Sequence, residues 1–452
     1  MTDSLAAFCA EADAPPAESV DHLERHLLDW VGLVLGGRSV ATSSESVLRT
    51  VEGLAGGRAP RLPTGSTLAP DRAALLSGTF AHSLDFDDTH RESSLHPGAP
   101  TIAAALPVAR ETEATGEALL AAISLGYDVT CALGRAVNPD AHYARGFHLT
   151  ATCGTFGATA AAGLLRGFDE ATFEAAFGVN GSQAAGSLQF LENGAWNKRL
   201  HPGLCAHRAV LATELADAGF RGSAEPIEGT FGFLHGYTDE PIPEALRGIE
   251  PGRAALETAL KPYPCCRYMH AAIDALLEIG EGVDPDAIES VRVDLPGPGV
   301  RLTGEPITSK RRPENFVDCQ FSTPFAAALS LSAGEAGLRA FLDAQERLDD
   351  PALRRLMDRV EVASTDRTND PFPARWTAGV TVEADGTHER FVEYALGEPE
   401  KPMDWADVEG KFHELTRAAG IDRDGSASVV EAVGDLRDGH SDELFATLDA
   451  LE

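Results

Sequence analysis

Helix-forming patterns rich in alanine and glycine fill almost all of the first 256 or so residues of the sequence. Apolar residues recur at intervals of three and four in DHLERHLLDWVGLVLGG, which we expect to start at Asp21 as an N-cap and to stop at Gly36 and Gly37. In PDRAALLSGTFAHSL, Pro70 takes a first-turn position. Small residues recur on the later helical segments, which favours close helix packing in a mostly buried bundle.

Strand patterns begin only after this region. SVRVDLPG and VEVAS each predict one strand, and TAGVTVEADGTHERFVEYALG predicts a hairpin that turns at Asp385 and Gly386. A helical pattern returns at about Asp404. The sequence therefore predicts a mainly α protein with a large all-helical domain and a smaller α+β domain. The expected boundaries are 1–256 with 402–452 for the first domain and 257–401 for the second.

The charge balance excludes two classes of partner. A net charge of −33 would be repelled by nucleic acid and by an anionic membrane, so we expect neither as a partner. The sequence shows no apolar run that we expect to cross a bilayer, and its N-terminus lacks the basic and apolar regions of a signal peptide. These features predict a cytoplasmic protein.

The basic residues are distributed unevenly between lysine and arginine. Only five lysines stand against 32 arginines, which together with 70 acidic residues is typical of an organism adapted to high salt. The seven cysteines are scattered without metal-ligand spacing, so we expect free thiols. No phosphate-binding loop, dinucleotide fingerprint, nucleophile elbow or zinc-protease helix occurs.

Four short segments carry residues suited to acid/base chemistry. The first, HSLDFDDTH with the following LHPG, holds three of the fourteen histidines and three aspartates within fifteen residues. Such density suits a metal site formed by His82, His90 and His96, or an acid/base site. The alternative is a solvated helix end with His82 in the core. In the second segment, RGFHLTATCGT, His148 precedes a predicted helix start, where backbone N–H groups bind carboxylates well.

The third and fourth segments, WNKRLHPG and KPYPCCRYMH, each contain one of the rare lysines. A buried lysine can lose its proton, whereas arginine holds its proton throughout the accessible pH range. Lys198 and Lys261 are therefore candidates for proton transfer. The alternative is that both are ordinary surface lysines.

Taken in order, the motifs HSLDFDDTH, GFHLTATCGTFGA, NKRLHPG, EGTFGF and KPYPCCRYMHAAID resemble those of the MmgE/PrpD family. The resemblance runs from about residue 18 to 400. This family includes 2-methylcitrate dehydratase, cis-aconitate decarboxylase and iminodisuccinate epimerase. The resemblance implies a helical domain made from both chain ends, a smaller α+β lid domain, an active site between them, and a homodimer that needs no metal or cofactor.

The resemblance also assigns site residues. Removing a proton beside a carboxylate builds an aci-carboxylate dianion, which needs a base and preorganised cations. The expected catalytic residues are Asp85, Tyr143, His148, Lys198 and Lys261. The expected substrate-binding residues are Thr89, His90, His96, Arg199, His201, Arg267 and His270.

The leading functional hypothesis is a hydro-lyase that dehydrates 2-methylcitrate, an acid of propionate metabolism, or a similar citrate-like hydroxyacid. The alternatives are an epimerase of an iminodisuccinate-like dicarboxylate and a decarboxylase of the cis-aconitate type. The decarboxylase branch carries a tyrosine where this chain has Phe325 and a histidine where it has Cys266, which weakens that alternative. An inactive metabolite-binding homologue and a zinc hydrolase are the remaining alternatives.

Overall fold

A computed structural model describes residues 1–55, 67–192, 194–439 and 441–451. The chain divides into two compact units, one formed by Met1–Ala259 with Trp405–Glu452 and the other by Leu260–Asp404. The sequence prediction put the two junctions after residues 256 and 401. Most of the structure is helical with few strands, so the predicted fold class, mainly α with a smaller α+β part, is confirmed.

The N-terminal part of the first unit is built from helices α1 to α12. Their bounds are α1 Thr2–Ala10, α2 Ala17–Val40, α3 Ser44–Ala55, α4 Pro70–His82, α5 Gly98–Glu111, α6 Gly116–Ala136, α7 Pro139–Ala144, α8 Leu149–Leu165, α9 Glu170–Asn180, α10 Asn197–Asp217, α11 Phe233–Tyr237 and α12 Arg253–Glu257. Short 3-10 turns lie at Leu188–Glu192 and Pro243–Leu246. Strand β1 (Thr89–His90) pairs antiparallel with β2 (Thr258–Ala259).

Glycines bring the central helices into backbone contact. Helix α10 packs on α4, α5 and α8, and α6 packs on α8. A Cβ on Gly203 of α10 would lie 2.2 Å from the carbonyl oxygen of Leu75 in α4. A Cβ on Gly157 of α8 would lie 2.4 Å from the carbonyl oxygen of Gly126 in α6. Only glycine allows this separation, because a Cβ at either position would overlap the neighbouring backbone.

The predicted ends of α2 are wrong. The helix begins at Ala17 and runs through Gly36 and Gly37 to Val40. Asp21 lies inside it and pairs with Arg25 one turn further on, at 2.7 Å. The glycines serve packing rather than termination, because a Cβ on Gly37 would lie 2.0 Å from the carbonyl oxygen of Phe80 in α4.

By length and composition, α6 is apolar enough to cross a membrane, contrary to the sequence expectation. Within its most apolar window, 89% of the residues are buried in the first unit. A buried helix of a globular core has the same composition, so α6 is weak evidence for a membrane span.

The second unit contains helices around a small sheet. Its helices are α13 His270–Gly280, α14 Gly297–Gly299, α15 Ile307–Lys310, α16 Phe316–Gln320, α17 Thr323–Ala333, α18 Leu338–Gln345, α19 Pro351–Asp358 and α20 Asp366–Asn369, with a 3-10 turn at Arg267–Met269 and a π turn at Val300–Gly304. Its strands are β3 Ser290–Asp294, β4 Val360–Ala363, β5 Ala378–Glu383 and β6 Thr387–Val392.

The sheet of this unit has the order β4-β3-β5-β6. Strands β3 and β4 are parallel, and the other two pairs are antiparallel. The residues that join β5 to β6 include Asp385 and Gly386, as predicted for the hairpin. Helices α13 and α17 pack against the sheet and against each other, so apolar side chains from both layers form the core.

The C-terminal segment returns to the first unit. It forms α21 Trp405–Ala418, α22 Arg423–Gly434 and α23 Ser441–Asp449. Helix α21 packs along α2, where Leu415 fills the space left by Gly36. The first unit is therefore assembled from both ends of the chain.

Candidate active site

The end of α4 leads into the acidic segment Asp85–Asp88. Helix α4 ends at His82, and Asp85 has a φ of 51°, in the left-handed region that non-glycine residues rarely adopt. The Asp85 carboxylate accepts a hydrogen bond from the Lys198 ammonium, with Nζ 2.5 Å from Oδ1. Helix α10 begins at Asn197, so Lys198 stands on its first turn. The turn at Asp85 thus joins the end of α4 to the start of α10.

The Asp87 carboxylate joins two histidines. Its Oδ2 lies 2.7 Å from Nδ1 of His82 and 3.3 Å from Nδ1 of His96. The His82 and His96 rings meet edge to face, with centroids 4.7 Å apart. Burial alone would raise the pKa of Asp87, but His82 and His96 outweigh it and hold that pKa well below its usual range. Asp87 is therefore a buried carboxylate that stays ionised.

Asp88 fixes the acidic segment to the helices behind it. Its carboxylate accepts hydrogen bonds from the Tyr127 hydroxyl at 2.5 Å and from the Gly98 backbone N–H at 3.1 Å. Its backbone carbonyl lies 2.6 Å from Nδ1 of His96, close enough to accept that N–H. Adjacent aspartates thus have different tasks, since Asp87 orients imidazole rings and Asp88 anchors the loop.

His148 stands at the N-cap of α8, next to three other histidines. Its Nδ1 lies 3.0 Å from Nδ1 of His201 on α10, and its ring centroid lies 6.1 Å from that of His82. The His96 backbone N–H donates to the Thr150 hydroxyl at 3.1 Å, which joins the loop before α5 to the first turn of α8. His82, His96, His148 and His201 form one cluster, called here the histidine cluster.

Burial keeps three of these imidazoles neutral. The pKa of His82 and that of His201 both fall to about 4, first because of burial and then because of neighbouring histidines and Lys198, although Asp87 raises that of His82. The pKa of His148 lies well below its usual range, first because of burial and then because of His201 and His82. A neutral imidazole has a lone pair, so each ring can accept a proton at neutral pH.

Three helices begin at the histidine cluster. Helix α5 starts at Gly98, directly after His96 and Pro97, α8 starts next to His148, and the first two turns of α10 carry Lys198 and His201. Each N-terminus carries a partial positive charge of roughly 0.5, and in α5 the Gly98 N–H already donates to Asp88. The cluster therefore combines groups that accept protons with a field that favours anions.

The histidine cluster also resembles a metal site in composition. Ligand atoms of His82, Asp87 and His96 all lie within 4.8 Å of one another. However, Nδ1 of His82 is hydrogen-bonded to Asp87, and Nδ1 of His96 is hydrogen-bonded to the Asp88 carbonyl. Nδ1 of each ring is thus part of a hydrogen-bonded network, whereas Nε2 of His82 and Oδ1 of Asp87 are buried without a hydrogen-bond partner among the residues that the structure describes.

Comparisons with known proteins agree with the resemblance. The MmgE/PrpD N-terminal domain model matches residues 3–245, and the MmgE/PrpD C-terminal domain model matches residues 263–435. The chain belongs to the MmgE/PrpD family.

This MmgE/PrpD chain is similar to several curated proteins described as cis-aconitate decarboxylases. One from Aspergillus terreus is 24% identical over 369 residues, covering 77% of this chain and 74% of the relative. The Homo sapiens protein is 25% identical over 397 residues, covering 84% and 79%. The Mus musculus protein is 25% identical over 388 residues, covering 82% and 76%.

Several residues predicted for the site in the first unit lie outside the histidine cluster. His90 was proposed as a metal ligand with His82 and His96, but its ring faces Ser93 at 2.6 Å and Glu257 at 3.5 Å. The pairing of β1 with β2 sets His90 opposite Thr258, which directly follows Glu257, so the His90 ring lies beside Glu257.

Arg199 and Tyr143 contact other parts of the same unit. The Arg199 guanidinium donates to the Ser43 hydroxyl at 3.0 Å, although its neighbour Lys198 reaches Asp85. The Tyr143 hydroxyl donates to the carbonyl of Ser94 at 2.9 Å, in the loop that precedes His96. The Tyr143 contact holds the loop that leads to His96, and the Arg199 contact holds the segment between α2 and α3.

The predicted site residues of the second unit are buried within it. Arg267 pairs with Glu398, and its guanidinium lies 5.4 Å from the Trp376 ring centroid. Nε2 of His270 lies 3.2 Å from the Cys265 carbonyl. Lys261 is 1% exposed, so it is not the surface lysine of the alternative interpretation.

The two positions that differ from the decarboxylase branch also lie in this unit. Phe325 packs in the hydrophobic core against Phe341, with ring centroids 5.4 Å apart. Cys266 is buried, and its backbone N–H donates to the Gln320 carbonyl at 2.9 Å. Phe325 therefore provides packing at its position and has no hydroxyl to offer.

A cavity of about 830 Å³ lies elsewhere in the first unit and has mainly acidic walls. Its two cationic side chains, Arg135 and Arg253, both lie close to Glu257, at 3.5 and 2.6 Å. Glu92, Asp128, Glu244 and Glu250 complete its charged lining. Such a surface repels a polycarboxylate, so we place the candidate site at the histidine cluster.

From the sequence, His82 was expected only as a metal ligand or a core residue, and Asp87 was not singled out. The density of histidine and aspartate in HSLDFDDTH was the available signal, and it marked the segment that contains both residues. Selecting among its members required the end of α4 at His82, because that end directs the His82 ring towards Asp87.

Proposed function

We propose that this chain is a cofactor-free lyase that moves a proton at a carbon next to a carboxylate on a small di- or tricarboxylate. Dehydration of 2-methylcitrate or a similar citrate-like hydroxyacid is the leading reaction. The observation that supports it most is the meeting of three neutral histidines, His82, His148 and His201, with the first turns of α5, α8 and α10. A polycarboxylate needs that positive field, and proton transfer needs those lone pairs.

In this proposal, His148 is the base. Its pKa lies well below its usual range in the free protein because of burial and neighbouring histidines. A bound polyanion favours the protonated imidazole, so substrate binding raises the proton affinity of His148 at the time it is needed. Lys198, held at Asp85, then stabilises the negative charge that develops on the carboxylate.

Dehydration also needs an acid that protonates the leaving hydroxide. Lys198 and the Asp85 carboxyl share one hydrogen bond of 2.5 Å and can exchange its proton. We assign this pair to the acid and His148 to the base. Lys261 in the second unit is the further proton-transfer candidate that the family motifs provide.

Decarboxylation of a cis-aconitate-like acid is the second candidate. It is favoured by the description of relatives as cis-aconitate decarboxylases at 24 to 25% identity. Phe325 and Cys266, which replace a tyrosine and a histidine of that branch, argue against it. Both reactions belong to the lyases and need proton transfer at carbon.

Product analysis separates the two reactions. Purified protein is incubated with citrate, 2-methylcitrate and cis-aconitate, and the products are identified by proton NMR while released carbon dioxide is trapped and measured. Dehydration gives an alkene without carbon dioxide. Carbon dioxide release at the rate of substrate loss would replace the hydro-lyase proposal by the decarboxylase.

We predict that activity survives exhaustive dialysis against EDTA. The Nδ1 atoms of His82 and His96 are engaged in hydrogen bonds with Asp87 and the Asp88 carbonyl, and the resemblance to the family implies that no metal is needed. The measurement compares turnover before and after dialysis, with metal content determined on the same samples. Loss of activity that one divalent ion restores would show that His82, Asp87 and His96 hold a metal.

Lys261 gives a prediction that distinguishes proton transfer from charge alone. If it transfers a proton, Lys261→Arg and Lys261→Ala should both lower kcat by about 10²-fold or more, because arginine does not release its proton. Lys198→Arg should retain more activity, since Asp85 remains as the acid of the pair and a guanidinium can still bind it and stabilise negative charge. Lys401→Arg, at a side chain that is 51% exposed, is the matched control. Substantial rescue by arginine at Lys261 would reduce its role to binding a carboxylate.

A further inference from the structure

One hydrogen bond within the histidine cluster joins His148 to His201. Their Nδ1 atoms are 3.0 Å apart, and both rings are buried. Two imidazole nitrogens at this distance share one proton, so one nitrogen donates and the other accepts. Because both rings are neutral, the ring that donates from Nδ1 carries a lone pair on Nε2. The accepting ring carries its proton on Nε2.

The surroundings protect this hydrogen bond. Phe190 packs edge-on against both rings, with centroids 6.0 Å from His148 and 5.8 Å from His201. The His148 backbone N–H donates to the Gly186 carbonyl at 2.9 Å, and a Cβ on Gly186 would lie 3.5 Å from the His201 ring. The segment from Gly186 to Phe190 therefore covers the pair and limits access of water to it.

We propose that His201 is a positioning residue that accepts the Nδ1 proton of His148 and so keeps Nε2 of His148 unprotonated as the base. This inference rests on the proposed function and deepens it. From the sequence, His201 was expected to bind substrate. Its contact with His148 supports a different role, in which His201 fixes the tautomer of the His148 ring.

The proton transfer balances along this pair. The substrate C–H bond breaks, its proton bonds to the Nε2 lone pair of His148, and the electron pair stays on the substrate as the aci-carboxylate. The Nδ1 proton of His148 then shifts towards Nδ1 of His201, so the two rings share the positive charge. The reverse shift restores the starting tautomers when the proton leaves Nε2.

Two variants of His201 test this role. The amide oxygen of His201→Asn can accept a hydrogen bond near the position of Nδ1, whereas His201→Leu keeps volume and loses the acceptor. Partners that orient a functional histidine typically contribute about 10- to 100-fold. We therefore expect His201→Leu to lower kcat by about that factor with little change in KM, and His201→Asn to recover most of it. A raised KM with unchanged kcat in His201→Leu would make His201 a substrate-binding residue and overturn the proposal.

The tautomer itself is measured without substrate. In protein labelled with 15N-histidine, long-range proton–nitrogen correlations show which nitrogen of each ring carries hydrogen, and His148→Gln assigns the signals. We expect His148 to carry its proton on Nδ1 in the unsubstituted protein and to become a mixture of tautomers in His201→Leu. A proton on Nε2 of His148 in the unsubstituted protein would refute the inference, even if His201→Leu fails to fold. If the tautomer is as expected and no polycarboxylate reacts, only the proposed function fails.

Discussion

His148→Ala is expected to lower kcat by ~10²- to 10⁴-fold while KM changes only a few-fold, because general acid/base groups act on turnover. His148 is the histidine at the N-cap of α8, between the rings of His82 and His201. Steady-state kinetics on the substrate found in the product screen provide the measurement. A variant with near-normal kcat would remove His148 from the mechanism.

His142 offers a matched control for this variant. It is as buried as His148, and burial lowers its pKa to about 4, yet its nitrogens contact the Tyr237 carbonyl at 3.0 Å and the Thr152 hydroxyl at 2.9 Å. We expect His142→Gln to change stability and to leave kcat within a few-fold. An equal loss of kcat in both variants would show that His148→Ala acts through general damage to the helical unit.

Lys411→Met is expected to destabilise the first unit by about 3 to 5 kcal/mol, because it leaves Asp29 as an unpaired buried charge. The Lys411 ammonium lies 2.6 Å from Oδ1 of Asp29 on α2 and donates to the Phe86 carbonyl at 2.8 Å. It also lies 3.9 Å from the centroid of the Phe86 ring. Through Lys411, helix α21 thereby stabilises the acidic segment. Urea unfolding followed by circular dichroism measures the loss.

The pH dependence of that loss provides a second readout. Burial raises the pKa of Asp29 to about 6, although Lys411 lowers it, so removing Lys411 raises it further. The folded-state pKa of Asp29 lies above its unfolded value of about 3.9. The buried carboxyl therefore destabilises the folded state less at low pH, where it is protonated. The penalty of Lys411→Met should therefore shrink as the pH falls from 8 to 5.

Two further variants control the experiment. Asp29→Asn combined with Lys411→Met removes both charges, and we expect it to be more stable than Lys411→Met alone. Arg110→Met breaks a more exposed pair with Asp449 at 2.8 Å, for which we expect at most about 1 kcal/mol. A penalty for Lys411→Met no larger than that of Arg110→Met would show that the buried pair contributes little.

The sequence predicted the helical class and the order of the elements because their apolar periodicity is local. Pro70 marked the start of α4 correctly. Gly36 and Gly37 were misinterpreted as a helix end because their function depends on Phe80 and Leu415, which are distant in sequence.

The sequence indicated which segments carry the candidate site residues. It did not indicate which side chains of those segments contact one another. His148, Lys198 and Asp85 lie where their motifs suggested, at helix ends and in the acidic segment. His90 was grouped with His82 and His96 by spacing alone, and the pairing of β1 with β2 sets it beside Glu257. The hydrogen bond from Lys411 to the acidic segment could not be predicted, because no local sequence pattern links Lys411 to Phe86.

Deuterium exchange at carbon tests the central claim of proton transfer most directly. Purified protein is incubated in deuterated water with citrate, 2-methylcitrate, cis-aconitate and aspartate-derived dicarboxylates, and proton NMR follows each carbon-bound hydrogen. We predict that at least one acid either gains deuterium at a carbon next to a carboxylate or loses a hydrogen from that carbon as it becomes an alkene, and that His148→Ala abolishes this change. An unchanged rate of deuterium gain or of hydrogen loss in His148→Ala would contradict the assignment of His148 as the group that moves this proton.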